Sequence, residues 1–153
     1  MTHIERSVLI NAPVEKVFDY IAEPNNLVKW VHNCLEVNEV VPEGTLREGT
    51  TYREAMKLPA GIKIKCVTRI SKYERPFKLD FESPFAGTYL SFAHTLEPKD
   101  NGTLVTEIGD YTMPGGILGK AMDKLYMKGV ITGNLEHTVE NLKAVMESGQ
   151  TEP

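Results

Sequence analysis

Three side chains capable of proton or oxygen chemistry fall close together in the second half of the chain: His94, Glu107 and Tyr111. They flank the turn signal Asp100-Asn101-Gly102, which joins two segments of period-two hydrophobicity. With Asn101-Gly102 as a two-residue turn, Leu96 lies opposite Glu107, His94 opposite Gly109 and Phe92 opposite Tyr111. The apolar face of Leu90, Phe92 and Leu96 must turn inward, and it takes His94, Glu107 and Tyr111 with it. His94 then has Glu107 and Tyr111 as diagonal neighbours, and Gly109 leaves a space in front of it. A four-residue loop preserves the same facing, whereas a three-residue loop with a bulge could disturb it.

An acid, an imidazole and a phenol in an apolar interior can orient a polar ligand group or move a proton, so these three are the catalytic candidates. The plainer alternative is that Glu107 and His94 satisfy each other in a cavity wall. Glu107 is the least expected residue on that face. The same three residues, with Phe92, Phe81, Trp30 and Met122, form the expected ligand-binding set. Trp30 doubles as the core anchor of a short helix. Tyr52, Glu54 and Met56 share one face of their strand, but the alternation there leaves Glu54 undecided between interior and solvent.

Other motifs fail on spacing. Gly115-Gly116-Ile117-Leu118-Gly119-Lys120-Ala121 lacks the pattern and the hydroxyl residue of a phosphate loop. His32-Asn33-Cys34 has nothing to complete a zinc site, and Glu136-His137-Thr138-Val139-Glu140 is not the two-histidine metalloprotease pattern. No serine stands in a nucleophile elbow. Neither a metal nor a cofactor is expected.

The elements that position the candidates follow from periodicity. His3–Ile10 alternates as a strand, and Pro13 suits the first position of a helix whose stripe is Val14, Val17, Phe18 and Ile21. Pro24 ends it, and Asn25-Asn26 caps a shorter helix with Leu27, Trp30 and Val31. From Glu36 to Met113 the period is two, cut into about six strands by turn residues, Pro84-Phe85-Ala86-Gly87 among them. Short connections make the sheet antiparallel. One of its faces is charged, through Lys63, Lys65, Arg69, Asp80 and Glu82, and the other is apolar.

A long helical pattern follows Met113-Pro114-Gly115-Gly116. Its first stripe, Leu118, Met122, Leu125 and Tyr126, does not continue into the second, Ile131, Leu135, Val139, Leu142 and Met146. The slip, on the order of 100° on a helical wheel, falls between Gly129 and Gly133, which predicts a kink or break there. The second half packs on the sheet, and the first faces the cavity mouth or a partner and could act as a lid. The tail from Ser148 to Pro153 is expected to fray.

The class is therefore α+β: strand, two short helices, a run of strands and one long helix, read as one domain over residues 1–153. The chain is 41% hydrophobic and 25% charged, with a net charge of −4. Its lysines are scattered, so no nucleic-acid surface is expected. No segment predicts stable membrane insertion, and without a secretion signal the default location is cytoplasmic. Cys34 and Cys66 are expected reduced and buried.

In element order over nearly its whole length the sequence resembles the START-like (SRPBCC) helix-grip superfamily, in its polyketide cyclase/dehydrase and lipid-transport branch. The resemblance rests on Asn11-Ala12-Pro13-Val14-Glu15-Lys16-Val17-Phe18 with Pro24 and Trp30, on Leu96-Glu97-Pro98 with Asn101-Gly102-Thr103, and on Tyr111-Thr112-Met113-Pro114-Gly115-Gly116-Ile117-Leu118-Gly119. It implies a curved antiparallel sheet of six to seven strands gripping the long helix, with a ligand cavity between. It implies no particular reaction. Three functions follow as expectations: carrier or sensor of a hydrophobic small molecule such as a lipid, polyketide or isoprenoid; cyclase or dehydratase using Glu107 or His94 as acid–base and Tyr111 on a carbonyl or enolate oxygen; or accessory protein docking a partner or membrane. The first asks least of the sequence. Oligomeric state is not legible.

Overall fold

The computed structural model describes residues 1–84 and 87–148. Seven strands form one antiparallel sheet: β1 (Thr2–Ile10), β2 (Cys34–Val41), β3 (Thr51–Lys57), β4 (Lys63–Glu74), β5 (Lys78–Glu82), β6 (Tyr89–Lys99) and β7 (Gly102–Thr112). Their spatial order is β1-β7-β6-β5-β4-β3-β2. Strands β2 to β7 therefore form a meander, and β1 closes onto β7 at the far edge. Helices α1 (Val14–Ile21) and α2 (Leu27–Trp30) carry the chain from one edge of the sheet to the other. The C-terminal helix runs as α3 (Gly116–Met122), a wide turn (Asp123–Met127) and α4 (Lys128–Glu147).

The amphipathic stripe of α1 buries Val14, Val17, Phe18 and Ile21. Each such aliphatic or aromatic side chain contributes roughly 1.5–3 kcal/mol on leaving water. Pro13 stands one place before the helix, as its N-cap, and Pro24 opens a 3₁₀ turn after it rather than ending it directly. Ile131, Leu135, Val139, Leu142 and Met146 of α4 are all buried, chiefly against β1.

The β6–β7 turn lies one residue earlier than the sequence pattern indicates. Lys99 pairs with Gly102, so the two turn residues are Asp100 and Asn101, with φ of 49° and 65°. Asn-Gly would fill such a turn most easily, but Gly102 serves another purpose. A Cβ there would stand 2.4 Å from the Ile10 carbonyl oxygen, where the hairpin meets the end of β1. The one-residue shift at the turn moves the pairing by two, so every side chain keeps its face. The partners change: His94 is directly opposite Glu107, Phe92 opposite Gly109 and Leu90 opposite Tyr111. Leu135 and Phe92 crowd the notch left by Gly109.

The long helix changes face as expected but not where expected. Gly129 and Gly133 lie inside the regular α4, and a Cβ at either would meet nothing within 4 Å. The irregularity is at Asp123–Met127, where Lys128 N–H donates to Asp123 O across five residues instead of four. Asp123 is held inward there by Tyr111 and Thr2. The tail beyond Ser148, and Phe85-Ala86 of the expected turn, lie outside the described residues. Among the described residues no helix is long and apolar enough to cross a membrane.

Two substitutions distinguish these local constraints. Gly133→Ala should raise stability by about 0.5–1 kcal/mol in urea unfolding, because the helix is continuous and the space open. Gly102→Ala should lower it by about 1–3 kcal/mol, through the clash with Ile10.

Candidate ligand cavity

The concave face of the sheet does not close onto α4 everywhere. Between them, with α2 at one side, lies a cavity of about 450 Å³, within the range of small-molecule sites. Phe81, Leu90 and Phe92 line it from the sheet, Leu27 and Trp30 from α2, and Ile131 and Leu135 from α4. Leu58, Pro59 and Ile62 of the β3–β4 hairpin and Pro114 and Tyr126 before α4 are part-exposed or exposed lining residues, so they mark the mouth.

His94 and Glu107 face this cavity side by side, with Nε2 and Oε2 3.3 Å apart. Both are at most 4% exposed. His94 Nδ1 lies 3.2 Å from the Leu79 carbonyl, which can only accept, so Nδ1 carries the proton. A neutral ring in that tautomer presents its Nε2 lone pair to a carboxylate, which repels it. The contact becomes attractive when one proton lies between them, as imidazolium facing carboxylate or as imidazole facing carboxylic acid. The ring edge-packs between Phe81 and Trp30, with centroids 5.3 Å and 5.5 Å away, which fixes its plane. Nε2 and Oε2 are nevertheless not aligned as a hydrogen bond, and both remain buried without a partner. Trp30 Nε1 is a third buried polar atom in the same state.

Tyr111 lines the cavity, but its hydroxyl is committed elsewhere. It donates to Asp123 Oδ1, while Thr2 Oγ1 donates to Asp123 Oδ2 at 2.5 Å. Burial, and then the Asp123 carboxylate, push the phenol well above its ordinary value. Tyr111 thus ties β7 to the wide turn of the helix and is not free to hold a substrate oxygen. Phe81, Phe92 and Trp30 line the cavity, whereas Met122 is 51% exposed and lies outside the lining. The wide turn carries the face of α3 away from the interior.

Glu54, which the pattern leaves undecided, is buried and lines the cavity from β3. Thr68 Oγ1 donates to Glu54 Oε1 at 2.6 Å, and Ser83 stands 2.8 Å behind Thr68. Cys66 Sγ lies 3.8 Å from the same oxygen. Burial raises the Glu54 pKa, with no cation to offset it. Burial and the adjacent Glu54 push both Cys34 and Cys66 up to about 12. The two free thiols are therefore not nucleophiles at neutral pH. Inward placement of Tyr52 and Met56 was the available signal for Glu54. Asp123 had none, since its partners Tyr111 and Thr2 stand on other elements, β7 and β1. Among the described residues no group of three or more His, Cys, Asp or Glu could hold a metal.

Comparison with known proteins supplies the family. A profile described as polyketide cyclase/dehydrase and lipid transport matches residues 1–147. The chain belongs to this family. No curated protein matches the sequence significantly. Solved structures match in fold. One, TTHA0849 from Thermus thermophilus, is 20% identical with a TM-score of 0.77, covering 96% of this chain and 98% of its own. Protein NE0264 from Nitrosomonas europaea is 17% identical with a TM-score of 0.72, over 98% and 97% of the two chains. DynU16, a protein in the dynemicin biosynthetic locus, is 15% identical with a TM-score of 0.66; 96% of this family member aligns with 48% of DynU16. At these identities the likeness concerns the α+β helix-grip fold alone. The family description supports a hydrophobic ligand-binding or cyclase-type role.

The raised Glu54 pKa gives a signed prediction. In the folded state Glu54 binds its proton more tightly than in the unfolded chain, so its contribution is most favourable below its ordinary value of about 4.5 and is lost as pH rises through the raised value. Glu54→Gln should therefore gain stability over the native protein as pH rises through that window and differ little below it. Urea midpoints of the two proteins across pH 4 to 8, on the order of that window, give the difference curve.

Proposed function

We propose that this family member binds a hydrophobic small molecule in the cavity between sheet and α4, as carrier or sensor, with one polar group of the ligand set against His94 and Glu107. The observation that carries this reading is the coincidence of an apolar cavity with three unpartnered buried atoms: Trp30 Nε1, His94 Nε2 and Glu107 Oε2. Unsatisfied buried polar groups each cost about 1–3 kcal/mol, and a ligand hydroxyl or carbonyl beside them would recover part of that. Phe81, Phe92, Leu90 and Ile131 would cover the apolar remainder. A lipid, polyketide or isoprenoid has the required mixture of a long apolar body and few polar atoms.

A second reading, a cyclase or dehydratase, draws on one observation. The Nδ1–H bond to Leu79 leaves the His94 Nε2 lone pair 3.3 Å from the Glu107 carboxyl inside an apolar site, an imidazole and a carboxyl placed to pass a proton to or from a ligand. Tyr111 takes no part, because Asp123 holds its hydroxyl.

Protein purified under native conditions should release a small apolar molecule detectable by mass spectrometry, and emptied protein should bind an apolar fluorophore. Leu135→Trp, which fills the cavity, should displace the fluorophore; a cavity that takes no probe would sink both readings. Glu107→Gln separates them: a carrier loses about tenfold in affinity for a hydroxyl- or carbonyl-bearing ligand, whereas an enzyme loses turnover with little change in fluorophore binding.

A further inference from the structure

We infer that the mouth of the cavity docks on an anionic lipid surface. Both rims present apolar side chains to solvent where a folded protein has no need of them. Next to one rim, marked by Pro114 and Tyr126, Ile117 is 86%, Leu118 81% and Leu125 84% exposed, with Met122 and Tyr126 about half exposed. On the other, the β3–β4 hairpin projects Ile62, 57% exposed, from a tip closed by the Leu58 N–H to Ile62 carbonyl bond. Single exposed apolar residues need no explanation, but a contiguous set marks an interaction surface.

Charge identifies the occupant. Lys57 and Lys63 pair across the base of the hairpin tip, and Lys120, Lys124 and Lys128 recur at i, i+4 and i+8 along the opposite rim. All five are exposed, and among the described residues none is in an ion pair. Residues 57–63 contain no carboxylate, and residues 113–128 contain only Asp123, which Tyr111 and Thr2 hold inward. A chain of net charge −4 has thus gathered unopposed lysines beside its largest exposed apolar set. Apolar residues beside a lysine row, along α3, the wide turn and the first residue of α4, are the chemistry of an interfacial segment that lies in a headgroup layer. Like-charged rims would repel in a self-pairing through this face, which argues against a second copy.

The orientation that follows sets the cavity mouth directly on the lipid, so an apolar ligand could pass without crossing water. Docking itself needs only the rims and does not depend on what the cavity holds.

The test is co-sedimentation with vesicles of phosphatidylcholine containing phosphatidylglycerol, against vesicles of phosphatidylcholine alone. Binding to the anionic vesicles, weakened by high salt, is expected. Lys124→Ala should weaken it roughly fivefold, and Leu125→Glu should reduce it to the level on neutral vesicles. Because Leu125 is exposed, the variant should melt with the native protein and bind the apolar fluorophore equally well, which separates failure of docking from failure of the cavity reading. Three results would overturn the inference: no binding to anionic vesicles, binding indifferent to both substitutions, or a concentration-dependent dimer abolished by Leu125→Glu, which would assign the face to a second copy.

Discussion

The pairing of β6 with β7 is the constraint on which the site depends. A two-residue turn with both residues left-handed fixes which residue of one strand faces which of the other, and Gly102 seats that turn against the end of β1. From this register come the direct opposition of His94 and Glu107, the inward facing of Tyr111 and the place where Leu135 of α4 enters beside Gly109. A slip by a single residue would expose the whole set. Helix α1 packs on the same two strands, whereas α4 packs chiefly on β1, which pairs with β7.

Around that ladder the interior divides into a packed part and an open part. Where α1 and the end of α4 meet the sheet, Val17, Phe18, Ile21, Leu142 and their neighbours fill the space. Towards the start of α4 the helix stands off, and the cavity opens among Phe81, Phe92, Ile131 and Leu135. Two buried acids sit in its walls in different settings. Glu107 faces the His94 imidazole, with Oε2 3.3 Å from Nε2. Glu54 has only hydroxyl and thiol partners, so burial raises its pKa. The family description admits both transport and cyclase chemistry, and the Tyr111 phenol in the cavity wall is tied to Asp123.

The long helix shows how a phase change can be legible while its position is not. Counting residues on a wheel detects that the apolar stripes before and after residue 128 cannot share a face. It places the break at the weakest helix formers, Gly129 and Gly133, because propensity is all that the count can use. In the structure those glycines face open space inside a regular helix, and the wide turn occurs where Asp123 is drawn to Tyr111 and Thr2. That contact spans 121 residues from Thr2 and has no local signature.

Period-two alternation, turn residues and a helical stripe are local properties, and they were enough to establish the α+β order, the antiparallel sheet and the inward face carrying His94, Glu107 and Tyr111. Facing depends only on parity, so it survived a misplaced turn. Partnership depends on register, and register was decided by the approach of Gly102 to Ile10. The burial of Glu54, the removal of Met122 to the surface and the commitment of Tyr111 to Asp123 were likewise settled by contacts between different elements. Pattern reports which way a side chain points relative to its own element. Only the packed molecule decides what it meets there.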